Sequence, residues 1–384
     1  MAKHQRQFTR RRYEPLYKRL AIELTNRIIS RQLPPGERLP EERLLCEQMG
    51  ASRGTVRSAL KQLEQQGLVR RVRGQGTFVA NDEAGRGTPF GLADTILWLH
   101  LDSSPGAAPP RVGTFYGEMR NGVHQAAYEM GLNVKDQRIV SPVKAPLAEY
   151  VPPKAKDVRG VVLCGTFDDQ YIGMFRSERV PTVVVDYWTS DRQIDCVTVD
   201  VQGEALMAVE HLAGLGHRTL GFLAVGRIDG RTGLRSFDPD VWHLLNHLRG
   251  AAGDYGIHIR DEWVVATVCE RDQRGAVEGF LNLKSRPTAV LCFDQQTADP
   301  LHQAIARRRI RCPQDLSIVT RGPDGLRGSV IEAPPTMLAS HPEVIGQWAV
   351  KLLADRVRGR RHTVRLAVAS DLRLGQTTGP APRG

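Results

Sequence analysis

The chain has 384 residues, 41% of them hydrophobic and 25% charged, with a net charge of +11, enough for two or three domains of ordinary composition. No apolar run approaches the ~20 residues that cross a bilayer, and the start "MAKHQRQFTRRRYEP" is basic without the apolar stretch of a secretion signal, which places the protein in the cytoplasm. Six scattered cysteines form no C-x-x-C pair, so neither a zinc ribbon nor a disulfide framework is indicated.

From Pro15, Leu16, Leu20, Leu24 and Ile28 recur at helical spacing until "LPPGERLP" stops the helix. A short helix in "EERLLCEQM" and a turn at "GAS" follow, and a second helix begins at Arg53 with Ser52 as its N-cap. There Val56, Ala59, Leu60 and Leu63 make an inward stripe, while Arg53, Arg57 and Lys61 form a basic ridge at i, i+4, i+8. Gly67 ends that helix, and "LVRRVRGQGTFV" folds as two short strands about a Gly74–Gly76 turn. Three helices and a basic hairpin make a winged helix-turn-helix, an α+β unit over residues 1–80.

Charge supports this division. Residues 1–80 hold 17 Lys and Arg against 7 Asp and Glu, a net of +10, and the remaining 304 residues net only +1. An excess so localised is an electrostatic footprint for a polyanion. A lone basic row is usually a solvated helix face. Here it lies on the second helix of a helix-turn-helix, the one that enters the major groove, where Arg can take guanine bidentately. Arg70, Arg71 and Arg73 of the wing suit the DNA backbone or minor groove.

Residues 81–94, "NDEAGRGTPFGLAD", lack periodicity and are expected to be a linker. Beyond them "TILWLHL", "GVVLCG", "TVVVDY", "GFLAV", "AVLCF" and "LSIVT" are strand-like, alternating with helix-length amphipathic stretches. This predicts a two-lobed α/β domain with parallel sheets over 95–375, followed by a disordered tail, 376–384.

Enzymatic signatures are weak. "GRIDGRT" has three residues between glycines and Arg where a phosphate loop needs Lys. His243 and His247 share a helix face at i, i+4 without the Glu of H-E-x-x-H, and no G-x-S-x-G occurs. Asp168–Asp169 follows a strand, where open α/β sheets hold ligands. No catalysis, cofactor or metal is expected.

The segment "PLYKRLAIELTNRIISRQLPPGERLPEERLLCEQMGASRGTVRSALKQLEQQGLVRRVRGQGTFV" resembles the DNA-binding domain of GntR-type transcription regulators. The resemblance implies operator contacts by Arg43, Ser52, Arg53, Thr55, Arg57, Arg73, Gly74 and Gln75, with Lys61 added from the ridge. Glu41 departs from the family's small residue at that helix start but suits the helix dipole. "FYGEMRNGVHQAAYEMGLNV", "VTVDVQGEALMAVEHLAGLGHRTLGFL", "RPTAVLCF" and "CPQDLSIV" resemble the LacI/GalR effector domain, a relative of periplasmic sugar-binding proteins. The combination is similar to the arabinose-type repressors.

The resemblance and the strand ends together imply effector contacts at Phe115, Tyr116, Thr166, Asp168, Asp186, Asp200, Trp242, Asp294 and Gln295. It also places Asp238 where such sensors carry Arg, with Arg235 a candidate replacement, and Asp294–Gln295 where they carry Asn-Asp. These changes exchange donors for acceptors, so a plain neutral monosaccharide held in the usual way is not expected. A modified or larger sugar, an amine-bearing ligand, or no ligand is. The reading is a DNA-binding regulator, a repressor before an activator, working near the nucleoid as a homodimer on double-stranded operator DNA and off the membrane. A ligand-independent architectural dimer, and an enzyme or binding protein fused to a DNA module, remain the alternatives.

Overall fold

The computed structural model describes residues 17, 20, 21, 24, 27, 28, 33, 34, 36–65, 69–72, 76–79, 94–102, 114–140, 152–154, 157–165, 169–228, 235–237, 239–267, 270–324 and 333–382. The chain divides into two compact units, residues 1–89 and 90–384. The division falls inside the expected linker, of which residues 81–93 lie outside the described residues.

In the first unit, Tyr17, Leu20, Ala21, Leu24, Arg27 and Ile28 are helical. Two helices follow, α1 (Glu42–Met49) and α2 (Arg53–Gln65). Between them Gly50 takes φ +57°, and its N–H caps Cys46 O. That left-handed turn favours glycine. The strands β1 (Val69–Val72) and β2 (Gly76–Val79) pair antiparallel, from Val69↔Val79 to Val72↔Gly76. Leu39 N–H to Thr77 O and Val79 N–H to Glu37 O bind the wing to the segment before α1. Val56, Ala59, Leu60 and Leu63 pack with Leu20, Leu24, Leu45, Val69 and Val79 into one core, as the stripe predicts.

The second unit holds two sheets. The first lobe contains β3 (Thr95–Asp102), α3 (Phe115–Glu129), β4 (Asn133–Val140), β5 (Gly160–Gly165), α4 (Asp169–Ser177), β6 (Thr182–Val185) and β7 (Asp195–Val199). The second contains α5 (Val201–Gly214), β8 (Leu220–Ile228), β9 (Arg235–Phe237), α6 (Pro239–Asp254), β10 (Val264–Thr267), α7 (Glu270–Leu281), β11 (Ala289–Cys292), α8 (Gln295–Arg307), β12 (Ser317–Pro323) and β13 (Thr336–Ser340). The chain then returns to the first lobe as α9 (Pro342–Val357) and β14 (Arg365–Val368), and ends its strands in the second with β15 (Asp371–Arg373).

The first sheet is parallel in the order β14-β7-β6-β5-β3-β4. The second runs β10-β8-β11-β12-β13-β15, with β15 antiparallel on β13 and β9 antiparallel on β8. Alternation puts Val162 and Cys164 of β5 against α3 and α9, and Val161 and Leu163 against α4. In the second lobe Phe222 and Leu291 face α5 and α6, while Leu223 and Val290 face α7 and α8. Helices therefore cover both faces of each sheet. Three crossovers join the lobes, at Asp200, at His341 and at residues 369–370.

One expectation is corrected. Residues 376–382, read from the sequence as part of a disordered tail, are a packed strap on the second lobe. Thr377 is buried, donates to Ile318 O at 2.7 Å and accepts from Thr336 N–H at 2.9 Å. Gly379 N–H donates to Ser317 Oγ, and Ala381 N–H to Leu215 O. Buried His217 meets Thr288 through Nδ1 and Gly379 O through Nε2. A polar, Gly- and Pro-rich segment lacks any pattern of its own; here strand-end hydrogen bonds order it.

Candidate functional site

The first unit offers a cationic helix face. Ser52 caps α2 by accepting from Thr55 N–H at 3.2 Å, and its hydroxyl meets Thr55 Oγ1 at 2.8 Å. Because α2 buries its apolar stripe, Arg53, Arg57 and Lys61 are exposed on the other side. Arg57 Nε donates to Glu42 Oε2 at 2.8 Å, a cross-helix pair invisible to local sequence patterning. Arg43 pairs with Glu47 at 3.9 Å. On the wing, Arg70 lies over the Phe78 ring and Arg71 pairs with Glu64. Gly76 takes φ +115°, and a Cβ there would come within 2.9 Å of Arg38 Nε. Arg73, Gly74 and Gln75 lie outside the described residues.

The second unit gathers polar groups where its lobes face each other. Thr114 caps α3, which presents Phe115 and Tyr116 at its first turn. Tyr116 packs on His100 and Phe115 and donates its hydroxyl to Asp186 Oδ2 at 2.9 Å. Asp186 follows β6 at φ +58°. Burial pushes its carboxyl up to about 6, against the opposing pull of Arg321 and the Tyr116 hydroxyl. From the other lobe Arg321, Asp240 and Asp294 come within electrostatic reach of one another's side or of Asp186: Asp186 and Asp240 both act on Arg321, and Arg321 acts on Asp294.

Asp294 and Asp200 are also helix caps. Asp294 accepts from Thr297 N–H in a capping box on α8, and Asp200 accepts from Gly203 N–H on α5. Gln295 occupies the first turn of α8. Thr166, Asp168 and Asp238 lie outside the described residues, as do the side-chain surroundings of Arg235 on β9.

Trp242 does not join this group. It is 55% exposed and lines an outer groove with Leu245, Asn246, Arg249, Val265 and Phe280. Two positions along a helix turn a side chain about 200°, so Trp242 points away from the side on which Asp240 serves Arg321. His243 and His247 lie on the same helix, and burial, then His247, lowers His243. Among the described residues no His, Cys, Asp and Glu cluster could hold a metal ion, and no helix is long and apolar enough to cross a membrane.

Arg321 was not among the residues singled out. Its signal was present: a charged residue directly after the apolar run "LSIVT", at the carboxyl end of a parallel strand where such sheets bind ligands. Its partner Glu204, 117 positions away, has no local cue.

A helix-turn-helix with an exposed basic face, joined in one chain to a two-lobed parallel α/β unit with three crossovers, defines a class. Residues 16–79 match the family described as "Bacterial regulatory proteins, gntR family", and residues 209–378 match the "Periplasmic binding protein-like domain". The chain thus carries a GntR helix-turn-helix domain and a periplasmic-binding-protein-like domain. Over 364 residues it is 24% identical to the arabinose metabolism transcriptional repressor of Geobacillus stearothermophilus, covering 90% of this chain and 92% of that protein. It is 28% identical over 208 residues to the HTH-type transcriptional repressor PurR of Glaesserella parasuis, covering 53% and 57% of the two chains. Among solved structures it resembles the complex of transcriptional regulator CelR with cellobiose (TM-score 0.61, 19% identity, 88% of this chain and all of that one). It also resembles a LacI family regulator from Enterococcus faecium with bound ribose (TM-score 0.58, 18% identity, 74% and 99%).

Proposed function

We propose that this chain is a ligand-controlled transcription repressor: α2 reads an operator, and a small, carbohydrate-related metabolite held between the two lobes sets operator affinity. The observation that carries the reading is the exposed Arg53–Arg57–Lys61 face on a helix whose opposite face is core. Arabinose, cellobiose and ribose stand in the names of similar proteins and supply the carbohydrate class. A homodimer fits two half-sites one helical turn apart, or a multiple of it.

Selection of full-length protein against a randomised duplex library tests the first half, followed by operator titration with and without each metabolite of a broad panel. A short, two-fold symmetric motif and at least one metabolite that moves its affinity are expected. Tight binding that no metabolite moves would leave an architectural DNA-binding dimer, and binding without sequence preference would remove the operator altogether.

A further inference from the structure

Arg321 lies in the carboxyl-terminal half of β12 between the lobes, 9% exposed, with its guanidinium over the Phe293 ring at 4.8 Å. Its Nε donates to Glu204 Oε2 at 2.6 Å. Glu204 is fully buried, and its other oxygen, Oε1, accepts from Ser370 Oγ at 2.6 Å. That leaves Nη1 and Nη2 of Arg321 without a hydrogen-bond acceptor among the described residues, although Asp186 and Asp240 act on the guanidinium through space. Arginine keeps its proton at every accessible pH. A planar, stacked guanidinium held by Nε and open at both Nη atoms matches a pair of anionic oxygens.

The same arginine sits beside every crossover. Glu204 lies four residues past the one at Asp200, and Ser370 is itself in the third. The carbonyl of Gly322, next to Arg321, accepts from Ser340 Oγ, the residue before the second. Asp200 N–H donates to Val368 O, tying the first crossover to the third.

The geometry points to Arg321 as the anchor for an anionic sugar derivative, its carboxylate or phosphate on the open Nη pair and its hydroxyls facing Asp186, with Glu204 and Ser370 as positioning residues that pass occupancy to the crossovers. This rests on the ligand-controlled reading above. A merely structural Arg321–Glu204 pair would hold the second lobe together and take no part in affinity.

Calorimetry on the full-length protein, with ring-matched probes, separates these. The probes are D-glucose, D-glucuronate and D-glucose 6-phosphate, with the corresponding galactose series; the uronate and phosphate arms distinguish the two anion sources. An anionic member should bind roughly tenfold or more tighter than its neutral parent, and Arg321→Lys, which keeps the charge opposite Glu204 but loses the fork, should weaken it roughly tenfold. Ser370→Ala, which leaves the Arg321–Glu204 pair in place, should still bind that probe while its effect on operator affinity shrinks several-fold; melting temperature reports whether the variant is merely unfolded.

Failure of every anionic probe to bind, equal affinity for a neutral parent, or an unchanged Arg321→Lys would overturn the anchor. Full coupling in the folded Ser370→Ala variant would overturn the relay. A neutral sugar that binds and moves operator affinity would sink the anion class while leaving ligand control standing; a panel in which nothing moves operator affinity would sink ligand control itself.

Discussion

Asp186 shows what a buried carboxyl between the lobes does to the fold. It is faced by Tyr116 from α3, Cys164 from β5, Arg321 from β12 and Glu204 from α5. Burial holds its folded pKa, about 6, above the ordinary carboxylate value. Its contribution to stability is therefore complete below that ordinary value and is lost as pH rises through about 6. Asn also tolerates the left-handed backbone found here. Asp186→Asn should melt higher than the parent protein at pH 7–8 without ligand, with the gap closing as pH falls toward 4; a constant gap across that range would show that Asp186 is ionised throughout. If α2 reads the operator as proposed, Arg53→Ala should remove about 1–3 kcal/mol of discrimination between operator and random duplex in competition binding. Arg57 is held by Glu42 at 2.8 Å; if it meets DNA as proposed, Glu42→Gln should tighten binding to operator and random DNA alike. The basic ridge of α2 was legible because its charges and apolar stripe share one 3.6-residue period. The Glu42–Arg57 and Glu204–Arg321 pairs were not, since ion pairs between separate elements leave no trace in local spacing.

At the scale of elements, the first lobe depends on two close approaches. A Cβ on Gly122 of α3 would lie 1.9 Å from Glu343 O, and one on Gly346 of α9 would lie 2.1 Å from Met119 O. These glycines let the two helix backbones touch, so Gly346→Ala should lower the melting temperature markedly, whereas Ala at exposed Gly250 should not. Asp195 of β7, fully buried, accepts from Arg356, Arg360 and Val364 N–H. Burial alone would raise it, but Arg360, Arg356 and Val364 outweigh that and hold it below the ordinary carboxylate range. That stabilisation is present above the ordinary range and lost as pH falls through the lowered value. Asp195→Ala leaves two guanidiniums without their carboxylate and should cost about 3–5 kcal/mol in chemical denaturation. In the wing, alanine at Arg70 and Arg71 together should flatten the salt dependence of DNA binding by up to about two units if each meets a phosphate. Six strands were legible as apolar runs because they are buried on both faces. The strand β4, "NVKDQRIV", lies at a sheet edge and carries too many polar residues to stand out. The helix α9 did carry signals, a proline at its start and a stripe through Ile345, Ala349 and Leu353, and could have been read.

For the whole molecule, ligand control is a coupling between two sites and must be reciprocal: whatever factor a metabolite imposes on operator affinity, operator DNA must impose on metabolite affinity. Titration of the metabolite with and without operator gives one factor and titration of operator with and without the metabolite gives the other, and unequal apparent factors would mean that a third equilibrium, such as dimerisation, is being driven. The two-lobed architecture was legible from alternating strand and helix patterns and from length, since about 280 residues exceed what one sheet usually organises. The packed strap at 376–382 was not, because its order comes from Ser317, His217, Thr336 and Leu215, all far away in sequence.

The three crossovers have a consequence for synthesis on the ribosome. The first lobe's sheet is completed by β14 and one of its faces by α9, both made after nearly all of the second lobe. The second lobe in turn waits for β15. Domains fold as they emerge, N-terminal first, at about 5–20 residues per second, so the winged helix can fold while both lobes are still incomplete. A nascent or prematurely ended chain would display a finished DNA-binding head with no working sensor. Chains stopped before residue 342 should therefore be protease-sensitive beyond residue 90 yet protected in the head, a pattern that limited proteolysis of stalled chains would reveal.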